Sequence, residues 1–426
     1  MPWPLDREWS PKLCCLGRPP DRQIFESLAI SIPDEIIKHM TMVQTLVIGG
    51  GVAGSAIAAH LAQAGQDVVV LERKGAPHDK VCGEFISGEA AHYLHQLDIN
   101  AQSLGAASIT NLNLYSDRAV VSAELPFPAL SLSRRILDQT LLESASQRGA
   151  SVRLGCAVRS LRAKEGGWIA ELENGDSVSA ADVFLATGKH ELRGWKRPSG
   201  WQNDLVAFKL HWRLSPQRAS ALSSLVELFL FPGGYAGLSL IEAGLANLCL
   251  VIQRRKLAEF DGRWDLLLAA LRAQFLPLSV IFSDGAACMD RPLAIASIPY
   301  GFVRRAGNGL WCLGDQAAVI PSFSGDGISI ALHSARLAAE HYLTGRTSAQ
   351  FQSHLAHDVV KQVRMATVLS RMLVNPVGQQ ISVGTARLIP GLLRRIAHRT
   401  RIPDRYLIKT GRGSEPKLPL RIAKAG

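Results

Sequence analysis

The sequence predicts an α/β fold in which a parallel-sheet domain is interleaved with a second β-sheet domain and followed by a C-terminal helical region. Three observations predict it. A strand, glycine turn, helix and strand run together near the front; short apolar runs split by Gly and Pro fill the middle; and a second strand passes through glycines into a long helix late in the chain.

The first stretch is TLVIGGGVAGSAIAAHLAQAGQDVVVLER, Thr45 to Arg73. Leu46 to Ile48 read as a buried strand, Gly49, Gly51 and Gly54 complete GxGxxG, and an Ala-rich helix runs to Ala64 before Gly65 stops it. The first glycine permits the tight turn, the second lets a pyrophosphate approach the helix N-terminus, and the third lets helix and strand pack closely. The strand VVVLE then ends at Glu72, 23 residues after Gly49, where a carboxylate can accept hydrogen bonds from ribose hydroxyls. The pattern is Rossmann-type and predicts a bound dinucleotide.

Two later segments narrow the ligand. In LSLSRRILDQTLLESASQRGASV, Ser133 caps a helix with an apolar stripe of Ile136, Leu137, Leu141 and Leu142, and Arg134 stands four residues before Asp138. In GLWCLGDQAAVIPSFSGDGISIALHSARLAAEHYLTG, a strand over Leu310 to Leu313 runs into Gly314 and Asp315, then through a Pro-containing loop to Gly325 and Gly327 at the start of a helix. An aspartate at a strand end can hold a polyol hydroxyl, and a helix N-terminus offers free N–H groups to developing negative charge. Both features suit a flavin dinucleotide, FAD.

At these residues the chain resembles the FAD-dependent oxidoreductases of the p-hydroxybenzoate hydroxylase superfamily, in its geranylgeranyl-reductase-like branch, over roughly Val43 to Leu343. The resemblance implies that Glu72 and Arg73 serve the adenosine end, Arg134 lies near the cofactor and Asp315 holds the ribityl chain. It also matches K-x-C-G at Lys80, Cys82 and Gly83, where the backbone would pass the flavin ring, with Glu84 next in line. Two motifs depart from relatives. The hydroxylases' Asp-Gly pair is replaced by Thr187 and Gly188, and the branch's Y-x-W-x-F-P stretch reads GGYAGLSL, which keeps only Tyr235. The W-x-W-x-I-P motif of flavin halogenases is absent.

The expected activity is hydride transfer from reduced flavin to an apolar small molecule, such as a polyketide, isoprenoid or quinone, with NAD(P)H as electron donor. Aromatic hydroxylation with oxygen and membrane-associated electron transfer to or from quinone are the alternatives. Cys82, Glu84 and Tyr235 are the expected polar groups near the reacting atoms. His190 and His211 read as packed histidines.

The division expected is an N-terminal extension over 1–41, cofactor-domain segments over 42–194 and 301–345, a substrate-facing sheet over 195–300, and helices with a basic tail over 346–426. The apolar run LLLAALRAQFLPLSVIF from Leu266 reads as a core helix followed by a strand, and Arg272 and Pro277 within it argue against a membrane span. Seven cysteines with no CxxC pair point away from disulfides and metal, and towards a reducing cytoplasm. Of the +11 net charge, most lies in residues 387–426, where eleven basic side chains face two acidic ones. They alternate with Leu, Ile and Pro rather than aromatics, which suits peripheral contact with an anionic membrane better than nucleic acid.

Overall fold

A computed structural model describes residues 42–408 other than 118 and 390. The extension over 1–41 and the tail beyond 408 lie outside the described residues. Along the chain, β1 (Met42–Ile48), α1 (Val52–Gln63) and β2 (Val68–Glu72) come first, then β3 (Phe85–Ile86), α2 (Gly88–His95), β4 (Ala107–Tyr115) and β5 (Val120–Ser131). Next are α3 (Arg134–Gln147), β6 (Ser151–Leu154), β7 (Val158–Lys164), β8 (Gly167–Leu172) and β9 (Ser177–Leu185). The middle holds β10 (Leu205–Arg213), α4 (Pro216–Ala221), β11 (Ser224–Phe231), β12 (Gly234–Leu240), β13 (Leu245–Gln253), α5 (Arg254–Ala258), α6 (Trp264–Gln274), α7 (Leu276–Ile281), β14 (Ala286–Ala287) and β15 (Leu293–Ala296). β16 (Trp311–Cys312), α8 (Gly327–Leu343), α9 (Ser348–Leu373), α10 (Pro376–Leu388) and α11 (Leu392–Arg399) complete it.

The first sheet has the order β6-β2-β1-β9-β8-β7, with β16 also on β9. Its β6, β2, β1, β9 and β16 run parallel, so their carboxyl ends share one edge. That edge is where ligands sit in open parallel sheets. Helices α1, α3 and α8 cover one face, with Ile57, Leu61, Leu137, Leu141 and Leu337 in a common core.

The second sheet has the order β14-β10-β13-β12-β11-β4-β5-β3, with β15 on β10. Alternation sorts its two faces. Phe208, Leu210 and Trp212 of β10 enter a core with α6 and α7, while Lys209 and His211 between them are buried on the opposite side.

Within 42–194, β4 and β5 belong to the second sheet: β4 pairs in parallel with β11 and carries β5 with it. Two expectations change. The run after Pro277 is the helix α7, not a strand: proline occupies its first turn, where the missing N–H costs nothing, and Leu278 and Ile281 are buried three apart. The late strand shortens to Trp311–Cys312. Among the described residues, no helix is long and apolar enough to cross a membrane.

The C-terminal segment is pinned by charge. Arg401 reaches Asp326 at 2.7 Å, in front of α8, with its guanidinium over Phe127 and Phe85 at 4.4 and 5.2 Å. Both charges are buried. Burial pushes the Asp326 carboxyl up to about 7 even beside Arg401, so Arg401→Ala leaves it protonated and without its partner, at an expected cost of about 1–3 kcal/mol. Chemical denaturation with Arg401→Lys alongside checks this; equal stability of Arg401→Ala and wild type would contradict it.

Candidate active site

The glycine turn closes on itself. Gly49 has φ +107°, and a Cβ there would lie 2.5 Å from the Ala186 carbonyl at the end of β9. A Cβ on Gly54 would lie 1.8 Å from the Gly49 carbonyl, so only glycine lets α1 approach β1 this closely. Gly51 caps α1 without a side-chain hydrogen bond, leaving its first N–H groups to a ligand.

Two cations flank that N-terminus. The Cβ position of Gly51 is 3.5 Å from both Arg134 Nη2 and Lys80 Nζ. Asp138 holds both: it accepts from Arg134 Nε and Nη2 at 2.8 and 2.9 Å and from Lys80 Nζ at 2.7 Å. Burial alone would raise the Asp138 carboxyl, but Arg134 and Lys80 outweigh it and hold it below its ordinary value. Two positive charges against one negative leave a surplus beside a helix N-terminus, which fits a diphosphate. At the end of β2, Glu72 accepts the Gly50 N–H at 2.8 Å and the Lys74 N–H at 3.0 Å. Arg73 donates to His190 Nε2 at 2.8 Å, a partner for that histidine on the cofactor edge.

The late passage returns to the same edge. Gly314, at φ +54°, donates its N–H to Ser334 at 2.9 Å, and a Cβ there would press on Ala53 of α1. The Asp315 carbonyl accepts from Arg197 at 2.6 Å, and its carboxylate lies 4.0 Å from Lys189. Gly325 is packed, with its Cβ position 2.6 Å from the Phe85 ring. Gly327 and Gly83 differ: a Cβ on either would meet nothing within 4 Å, so both border open space. Open glycines beside a helix N-terminus fit a planar ring, and the residues present thus match an FAD molecule from diphosphate to flavin.

The loop carrying Cys82, Gly83 and Glu84 is fixed to the second sheet. Glu84 is fully buried at φ +59°, a left-handed conformation unusual for glutamate. One carboxylate oxygen accepts from Lys209 Nζ and, at 2.8 Å, from the Arg134 N–H; the other accepts from His211 Nε2 at 2.8 Å. Burial would raise this carboxyl, but the His211 hydrogen bond and the Lys209 charge outweigh it and hold it low. Asp79 stands 3.8 Å from both Lys209 Nζ and His211 Nδ1. Glu84 also donates its N–H to Cys82 Sγ at 3.3 Å, and Asn247 holds the Cys82 carbonyl at 3.2 Å.

Glu84, expected as a polar group near the reacting atoms, is therefore an anchor with both carboxylate oxygens engaged. Lys209 and His211 join the site from β10, and the sequence offered no local signal for either beyond a histidine in an apolar strand. Ligand atoms of Asp79, Glu84 and His211 all lie within 4.8 Å of one another, a grouping the sequence did not reveal. The Lys209 ammonium already supplies positive charge there, and a divalent ion would have to displace it. Among the described residues, Cys82, Cys156, Cys249, Cys288 and Cys312 are free thiols.

Tyr235 sits apart from this anchor. It lies on the same face of β12 as Ser239, about 13 Å along the strand, with its ring edge-on to Phe323 at 5.8 Å. It belongs to an apolar cluster with Leu230, Val251, Tyr300, Phe302, Val374 and Val383, against which Val81 of the loop also packs. Burial pushes its phenol far above the ordinary range, so it is a packed tyrosine bordering the site.

A family model for FAD-dependent oxidoreductases matches residues 44–124. The chain is 28% identical over 366 residues to a menaquinone reductase of Mycolicibacterium smegmatis, covering 78% of this chain and 85% of that protein. It is 29% identical over 311 residues to digeranylgeranylglycerophospholipid reductase 2 of Methanopyrus kandleri, covering 69% and 75%. Halogenase PltM, solved with phloroglucinol and FAD, superposes with a TM-score of 0.64 at 17% identity over 84% of this chain and 83% of that one, a likeness of fold. Fold, glycine turn and sequence similarity together define an FAD-dependent oxidoreductase. Its sequence relatives include quinone and isoprenoid-lipid reductases.

Two outcomes follow from this geometry. Gly54→Ala forces α1 off β1 and is expected to yield protein without flavin absorbance; a normally yellow variant would contradict it. Because the folded Glu84 carboxyl lies below its ordinary 4.5, its stabilising contribution is complete above that pH and is lost as the pH falls through the folded value. Glu84→Gln should be less stable at neutral pH by about 3 kcal/mol and lose less on acidification, as denaturation across the acid range would show.

Proposed function

We propose that the protein reduces an apolar small molecule of quinone or polyisoprenoid type, with NAD(P)H as its electron donor. The observation that carries this reading is the open space at Gly83 and Gly327, whose chain neighbours Val81 and Phe323 pack against the apolar cluster of Tyr235, Tyr300 and Phe302. An apolar substrate matches that wall better than a charged one. The similarity to quinone and isoprenoid-lipid reductases supports it from an independent direction.

FAD supplies hydride transfer when bound. The chain supplies the rest. Arg134 and Lys80 would neutralise the diphosphate, Glu72 would take the adenosine ribose, Asp315 would take the ribityl chain, and the first turn of α8 would offer its positive end to the flavin. Cys82, half-buried on a loop held from both sides, carries the proton that the reduced substrate needs.

The test is anaerobic. Protein reduced with NADH or NADPH is mixed with a short-chain naphthoquinone, and one equivalent of quinol per flavin is expected. Cys82→Ala should slow that step at least roughly tenfold while keeping its flavin spectrum; unchanged turnover would remove the thiol from the chemistry. Oxygen uptake matched by a hydroxylated aromatic product would instead establish the monooxygenase reading and overturn reduction.

A further inference from the structure

Helix α10 carries apolar side chains on both faces. Val383 and Ala386 point inwards, whereas Val377, Ile381 and Leu388, spaced four and seven apart on one stripe, are 64, 56 and 83% exposed. Val368 on α9 and Ile389 after α10 are exposed as well, so five of the thirteen large hydrophobic side chains exposed among the described residues lie within 368–389. Such clustering marks an interaction surface, since scattered exposed apolar residues need no explanation.

The surrounding charge selects the partner. From Val359 to Pro403 the chain has eight basic residues and no Asp or Glu. Lys361, Arg364, Arg371, Arg387, Arg394, Arg395 and Arg399 are exposed beside the stripe, while Arg401 is occupied by Asp326. An apolar helix face bordered by arginines matches the acyl and headgroup layers of an anionic lipid bilayer.

A cleft of about 550 Å³ opens between β5 and the α10–α11 turn, lined among others by Val121, Ala386, Leu392 and Leu393 with Glu124 and Arg394. Val121 and Leu393 from its lining also pack against the apolar cluster that contains Tyr235.

We infer that α9, α10 and α11 form a membrane-docking surface for anionic bilayers, with the cleft beside α10 part of the face that meets the lipid. The docking holds whichever reaction the flavin performs.

Flotation of the full-length FAD-loaded protein with vesicles of phosphatidylcholine, alone or mixed with phosphatidylglycerol, tests it. Wild type should float only with the anionic vesicles. Ile381→Asp/Leu388→Asp and, separately, Arg371→Gln/Arg395→Gln/Arg399→Gln should each bind at least roughly tenfold more weakly, with flavin absorbance and turnover of a water-soluble acceptor unchanged. Wild type that stays in solution with both vesicles, or variants that float as well as wild type, would overturn the inference. So would a wild-type dimer that Leu388→Asp dissociates, which would assign the face to a second copy of the chain.

Discussion

One buried carboxylate holds the two halves of this protein in register. Glu84 sits on a loop leaving the cofactor sheet, and its partners come from α3 and from β10, a strand that begins more than a hundred residues later. An unpaired charge in that position would be costly; two cationic or cation-capable partners and a backbone N–H make it tolerable. The same contacts hold Glu84 in a left-handed conformation, so the loop cannot relax without breaking them. Cys82 and Gly83 inherit their positions from this anchor.

The cofactor half follows a matching logic at its other end. Asp138 gathers Arg134 and Lys80 beside the glycine turn as Glu84 gathers Lys209 and His211 beside the Cys82–Gly83 loop. Arg134 links the two clusters, with its guanidinium on Asp138 and its backbone N–H on Glu84. The cations beside the glycine turn and the loop that carries Cys82 are thus mechanically connected. For the reduction proposed above, that connection would let the flavin ring and the Cys82 thiol face the substrate together.

Much of the cofactor half was legible in the sequence because its signals are local. GxGxxG with Glu72, the Ser133 cap before Arg134 and Asp138, and the passage through Gly314 to Gly327 each lie within one short stretch, where turn chemistry and helix periodicity speak directly. What was hidden is non-local. The parallel pairing of β4 with β11 joins segments over a hundred residues apart, and no pattern in either strand names its partner. Asp79 and Glu84 meet Lys209 and His211 only through the fold, so His211 read as a packed histidine and Glu84 only as a polar group near the reacting atoms. Tyr235 was expected near the reacting atoms from a motif remnant, while the surrounding apolar residues, scattered from Leu114 to Val383, decide its burial.

The anchor is the central claim, and a double-mutant cycle between Glu84→Gln and Lys209→Met measures it most directly. Denaturation of the FAD-loaded proteins should give a coupling of about 2 kcal/mol, with the double variant more stable than the sum of the single losses predicts. Additive losses would mean that the two side chains do not depend on each other, and that the loop bearing Cys82 is held by something else.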